Sequence, residues 1–373
     1  MPSRSRARSR TRSRARYRRR RAVALAFPTV VAAVVAWLLI DTDHRRPRTS
    51  SAPAIASTTA TARARRPSTR AGARPLPLTG IPVGRWTTYG TAPTSRGEVS
   101  AARLGDAVYV VGGFDAAGHT SPTVQRLNLR TRRWSPVASM PQALNHMSAT
   151  AYRGSLYVVG GYASSGDSST GATRGFWRYS PRDDRWSAMP PAPVPRAAAG
   201  AAVLGHRLYV VGGRNDTTPA LSSLAIFDFA TSRWSLGPSL SHPREHLAAV
   251  AAGGAVWALG GRDQGVNFTY VERYRPGAAA WESQAPMPVP RSGFQTVAAG
   301  HALVAVGGED GAAMVPEVER LDLRSGRWAS LAPLPVPRHG LGVVADGPLV
   351  FTIDGGTAPG LTTSRVMEQL RAP

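Results

Sequence analysis

Residues 197–234 read AAAGAAVLGHRLYVVGGRNDTTPALSSLAIFDFATSRW. Small residues from Ala197 to Val203 lead into the apolar run Leu208–Val211, which ends in Gly212-Gly213, and Phe227 and Trp234 follow seven residues apart. The same marks recur on both sides. Gly-Gly stands at 112–113, 160–161, 212–213, 260–261, 307–308 and 355–356, and tryptophan at 86, 134, 186, 234, 281 and 328. The interval from each Trp to the next Gly-Gly is 26 residues five times and 27 once. Leu127, Tyr179, Phe227, Tyr274 and Leu321 each precede a Trp by seven. An internal repeat of 47–52 residues outranks any local motif as a guide to architecture.

Short runs of β-branched and aromatic residues bounded by glycine predict strands, and glycine admits the tight turns between them. Each repeat reads as four strands: a (small residues), b (ending in Gly-Gly), c (the aromatic or leucine mark) and d (starting at Trp). Strand a suits the inside of a radial arrangement, where room is least, and the tryptophan supplies apolar surface to fill the gap between sheets. Trp86 begins a d strand with no a, b or c before it, while Leu370, fifteen residues after Gly355, marks a c strand with no Trp after it. The segment Gly84-Arg85-Trp86 is therefore predicted to complete the last sheet. Six sheets then close into a ring without free edges, and a monomer is expected.

Residues 86–373 resemble the kelch repeat on these marks, and the resemblance implies an all-β, six-bladed kelch β-propeller of the galactose-oxidase-like central domain superfamily. Kelch-like propellers include copper radical oxidases, which need a cysteine crosslinked to tyrosine. This chain has no cysteine, which excludes that chemistry together with disulfides and zinc-thiolate sites. The Asp-box pattern of sialidases is absent. Sialic-acid mutarotases are six-bladed kelch proteins, so the resemblance keeps open a sugar mutarotase or isomerase that needs only general acid–base help.

The net charge of +24 comes from 46 arginines, no lysine and 22 acids, a bias that suggests a GC-rich bacterial genome. Residues 1–21 carry +11 and residues 41–85 carry +7, leaving +6 for the repeats. A net-charge argument for nucleic-acid binding by the repeats therefore fails, and nucleic acid is not their expected partner. Ala22–Ile40 is uncharged for nineteen residues, enough for a transmembrane helix. Arginines before it place the N-terminus in the cytoplasm, and Tyr17 and Trp37 sit where an aromatic belt would. The expected organisation is an arginine-rich cytoplasmic tail (1–21) on anionic lipid headgroups, a signal-anchor transmembrane helix (22–40), a Pro/Ala/Thr/Arg-rich linker (41–82) and an extracytoplasmic propeller (83–373). The alternative is a cleaved signal peptide and a secreted protein, although the apolar run exceeds the usual 7–15 residues and Ala54-Ile55-Ala56 lies well beyond it.

Connections d–a and b–c share one face of such a ring. Ten residues after each Trp stands Arg96, Arg196, Arg244, Arg291 or Arg338, with Leu144 in the second repeat. Glu98, Asn145, His146, Glu245, His246 and His339 adjoin these positions, and the loop 162–174 of the second repeat is the longest. Five guanidiniums near one axis would attract carboxylate, sulfate or phosphate. Those eleven residues are therefore the candidate ligand site, for an anionic glycan or an acidic protein segment. Pairing of each arginine within the fold is the competing expectation and would favour a structural envelope scaffold. No catalytic residue is assigned. The eight histidines are scattered, so neither a metal nor a cofactor is expected.

Overall fold

The computed structural model describes residues 76, 78, 80–165 and 170–373. The expected tail, transmembrane helix and most of the linker lie outside these residues. Among the described residues every regular element is a strand, and no helix is long and apolar enough to cross a membrane.

The third repeat shows how the pattern becomes a sheet. Gly200–Leu204, Arg207–Val211, Leu224–Asp228 and Arg233–Gly237 pair antiparallel in chain order, with Phe227 opposite Trp234. The b strand lies inside the blade with a sheet packed on either face, so its apolar run does not alternate with polar residues. Four further blades repeat this order and a sixth takes its outer strand from Trp86–Arg96, which confirms the six-bladed propeller.

The a strands Ser100–Leu104, Ser148–Tyr152, Gly200–Leu204, Ala248–Ala252, Gln295–Ala299 and Gly342–Asp346 line the axis, each beside the next and the last beside the first. Their small residues are required there. A Cβ on Gly200 would lie 2.6 Å from that of Ala249, and one on Gly342 2.7 Å from that of Ala101.

At the outside, the tryptophans do more than fill space. Trp186, Trp234, Trp281, Trp328 and Trp86 donate indole N–H bonds of 2.8–3.0 Å to the carbonyls of Ala138, Pro190, Pro238, Ala285 and Ala332 on the preceding blade. At the remaining junction, Tyr89 Oη donates to the Leu129 carbonyl at 2.6 Å.

That junction is where the ring closes. Trp86–Arg96 pairs with Ser364–Arg371, Trp86 opposite Leu370, in a sheet with Leu349–Ile353 and Gly342–Asp346. Register corrects one sequence assignment here. Gly342 faces Ile353 as Ser100 faces Val111, so Asp354-Gly355, rather than Gly355-Gly356, corresponds to Gly112-Gly113. The interval from Trp328 is then 26, like the others. Asp354 holds the left-handed backbone of the glycine it replaces (φ 56°) and is fully buried.

Burial pushes the Asp354 carboxyl up to about 7, since the charges of Arg96, Arg338 and Arg365 offset only part of its cost. Arg96 Nε stands 3.6 Å away. A carboxyl raised in the folded state favours folding while protonated, and this contribution is lost as pH rises from about 4 through 7. Asp354→Asn keeps the side-chain shape and suits a left-handed backbone. Thermal melts should show this variant gaining several degrees on the unsubstituted protein between pH 5 and pH 8; an equal margin at both pH values would refute the assignment.

Candidate functional site

The rim of the propeller is built from the residue ten positions after each Trp. Its carbonyl accepts a hydrogen bond from the second glycine of the preceding blade: Gly113 to Leu144, Gly161 to Arg196, Gly213 to Arg244, Gly261 to Arg291, Gly308 to Arg338 and Gly355 to Arg96, all at 2.8–3.0 Å. This approach is why the first residue of the pair is glycine in five blades. A Cβ at Gly160 would lie 2.3 Å from the Arg196 carbonyl oxygen.

The guanidiniums turn away from the mouth into their own blades. Arg96 is 2% exposed and Arg196, Arg244, Arg291 and Arg338 are 0% exposed. Arg291 Nη1 donates to the carbonyls of Gly307 and Glu317, and its Nη2 to Glu319 Oε2 at 2.9 Å. Arg338 meets Glu368 at 2.7 Å and Arg244 meets Glu272 at 2.5 Å. Arg96 donates to Gln125 Oε1 at 3.1 Å, and Arg196 finds only the carbonyls of Val210, Gly212 and Ser223 with the Ser223 hydroxyl. With no carboxylate beside it, Arg196 is lowered by burial to about 10. The expected ring of ligand-facing guanidiniums is therefore absent. These side chains tie strands b and c to the rim.

Two residues beyond the arginine, the backbone is left-handed in every blade: Glu98, His146, Ala198, His246, Gly293 and Gly340 have φ between 50° and 64°. Their backbones form a circle. His146 donates to Glu98, Ala198 to His146, His246 to Ala198, Gly293 to His246 and Gly340 to Gly293, and Val99 donates to Gly340. Side chains on this circle point to the axis, so three of the eleven candidate residues, Glu98, His146 and His246, come together. A left-handed non-glycine residue carries a backbone cost of order 1 kcal/mol. At the other three positions Ala198, Gly293 and Gly340 leave space, and the Glu98 carboxylate lies where a Cβ of Gly340 would stand.

The next shell comes from the residue after each arginine and the residue after each glycine pair, joined as isolated bridges such as Asn145–Tyr162 and Glu245–Arg262. His339 Nδ1 bonds Glu98 Oε1 at 2.9 Å and its Nε2 bonds the Ala358 carbonyl at 3.1 Å. His146 Nε2 lies 3.3 Å from Glu98 Oε2, with its Nδ1 2.6 Å from Asn145 Oδ1. His246 Nδ1 bonds Glu245 Oε2, whose other oxygen takes Arg262 Nε at 2.6 Å. Arg262 also reaches Glu309 at 2.6 Å. Arg262, Glu309, Tyr162 and Phe114 were not among the eleven; their signal is their common place directly after the glycine pair.

All of these side chains except Glu245 line a pocket of about 260 Å³ on the axis, together with Pro359, Gly360 and Leu361. Burial opposes charge on Glu98, but the imidazoles of His146, His339 and His246 outweigh it and hold the carboxyl well below the usual range. Burial also opposes charge on His339, yet the hydrogen bond to Glu98 raises its pKa. His146 is pushed down to about 4 by burial, which Glu98 offsets only in part. The pocket thus presents a carboxylate whose ionised form is favoured, bonded to His339 on one oxygen and facing His146 on the other.

The family model described as the KLHDC2/KLHL20/DRC7 Kelch-repeats domain matches residues 83–239 and, overlapping these, 166–356. This chain belongs to the kelch-repeat family. The solved structure of YjhT superposes on the kelch ring with a TM-score of 0.63 at 18% identity, over 74% of this chain and 95% of that chain. The likeness extends to the fold. No curated protein matches the chain.

Burial lowers the pKa of Arg291 and raises that of Glu319, each partner offsetting only part of the cost of the other. Desolvation therefore dominates this pair. Arg291→Met alone should destabilise the protein by about 3–5 kcal/mol in urea titrations, and adding Glu319→Leu should restore much of it. A double variant no more stable than the single one would contradict this balance.

Proposed function

We propose that this kelch propeller binds a small, hydroxyl-rich ligand of about monosaccharide size in the axial pocket. The supporting observation is the Glu98 carboxylate, set among imidazoles at the floor of a polar cavity of about 260 Å³. An ionised carboxylate accepts hydrogen bonds from hydroxyl groups, and Phe114, Tyr162 and Leu361 offer apolar edges to a sugar ring. The volume is small for a ligand pocket and does not suit a peptide segment. The burial of the five arginines favours a neutral ligand over the anionic glycan or acidic segment suggested by their spacing. Arg262, the guanidinium lining the pocket, is already paired with Glu245 and Glu309. The arginine-rich start and the apolar run 22–40 support a single-pass tether holding the propeller outside the cytoplasm, with the tail on anionic headgroups.

The position of Glu98 between His339 and His146 also favours a second reading. A base and an acid within hydrogen-bond reach of one ligand are what interconversion of sugar anomers requires.

Thermal melts of the full-length chain against neutral sugars, sugar acids and acidic peptides separate these ligand classes, because a ligand bound only by the folded state raises the melting temperature. A neutral sugar should stabilise the protein, and Glu98→Gln should weaken it about tenfold to a hundredfold through loss of charge-assisted hydrogen bonds. No stabilisation by any sugar, or stabilisation indifferent to Glu98→Gln, would sink the reading. Anomerisation followed by NMR tests the second reading on the same samples.

A further inference from the structure

The two axial histidines are held in one tautomer from behind. Asn145 Nδ2 donates to Thr120 Oγ1 at 2.7 Å and to the Ser164 carbonyl at 3.1 Å, which turns Asn145 Oδ1 towards His146 Nδ1. An amide oxygen only accepts, so His146 Nδ1 carries the proton. Glu245, fixed in turn by Arg262, accepts from His246 Nδ1 in the same way. In their neutral forms both rings therefore offer Nε2 as a lone pair. For His146 that lone pair faces a carboxylate oxygen 3.3 Å away, a repulsive contact that either a proton or a metal cation between them relieves.

We infer that Glu98 Oε2, His146 Nε2 and His246 Nε2 form a site for one divalent transition-metal ion, of which zinc is the representative, on the propeller axis. A ligand atom from each of the three residues lies within 4.8 Å of the others. Bonds of about 2.1 Å at a tetrahedral angle separate ligand atoms by about 3.4 Å, close to the Glu98–His146 spacing. His246 closes the set with a shift of order 1 Å. Two imidazoles and one carboxylate are the donor set of zinc and iron(II) sites that keep an open position, and here the open side faces the pocket. Asn145 and the Glu245–Arg262–Glu309 chain supply the outer hydrogen bonds that orient metal-binding histidines. The other Glu98 oxygen is bonded to His339, so the carboxylate would bind through one atom. The site stands on its own residues and holds whether or not a sugar occupies the pocket.

The test uses the full-length chain freed of metal by chelation. Equilibrium dialysis against zinc should give one ion per chain at micromolar concentration, and cobalt(II) should develop visible bands of a low-coordinate nitrogen and oxygen site. His246→Ala and Glu98→Gln should each abolish the bands. Glu245→Gln, an outer-shell change, should keep the bands but weaken binding about 10–100-fold. His119→Ala, on the exposed His119, should change nothing. Melts without metal check the folding of each variant; should His246→Ala not fold, the cobalt spectrum of the unsubstituted chain and Glu98→Gln still decide. Absence of stoichiometric binding, absence of the cobalt bands, or binding that survives both substitutions would overturn the inference.

Discussion

The structure depends on one hydrogen bond repeated six times, from the second residue of each glycine pair to the rim carbonyl of the next blade. It requires a left-handed backbone on one side, and on the other a rim residue whose carbonyl faces outward. The side chain of that rim residue is then directed back into its own blade. Arginine fills five of these positions because its fork reaches polar groups of strand b and of strand c or the residue just before it together. Where Leu144 replaces it, Trp177 stands on strand c opposite Val158, and the two share one hydrophobic cluster.

This frame separates stability from ligand contact. Guanidiniums are committed to holding strands within each blade, and glycine pairs and indole N–H groups to joining blades; they vary little around the ring. The side chains of the circle two residues beyond the arginine are free of that duty, its backbone alone linking the blades, and the blades diverge there. Three small residues make room while Glu98, His146 and His246 fill it. The pocket is thus asymmetric on a six-fold scaffold, with its chemistry drawn from blades 1, 2, 4, 5 and 6 and an alanine on blade 3.

Much of the ring was legible in the sequence because blades impose fixed spacings: strand order, blade number and closure through Trp86 all follow from counting. The glycine pair of the last blade was misplaced by one because Asp354 replaces a glycine while Gly356 mimics one. The direction of the arginines was not legible from their spacing, which places them on one rim without saying where the side chains point. A signal was nevertheless present. Gln125, Glu272, Glu319 and Glu368 each lie two residues before the c-strand mark, polar side chains on the same face of the strand as that apolar mark. Scattered histidines hid the axial cluster, since His146 and His246 are a hundred residues apart and meet through the six-fold arrangement alone.

Arginine-selective dicarbonyl labelling of the native protein, mapped by mass spectrometry, tests most directly whether the rim arginines belong to the frame. The account predicts that Arg96, Arg196, Arg244, Arg291 and Arg338 stay unmodified while exposed arginines such as Arg275, 53% accessible, react readily. Modification of any of the five at the rate of Arg275 would put a free guanidinium at the mouth and contradict it.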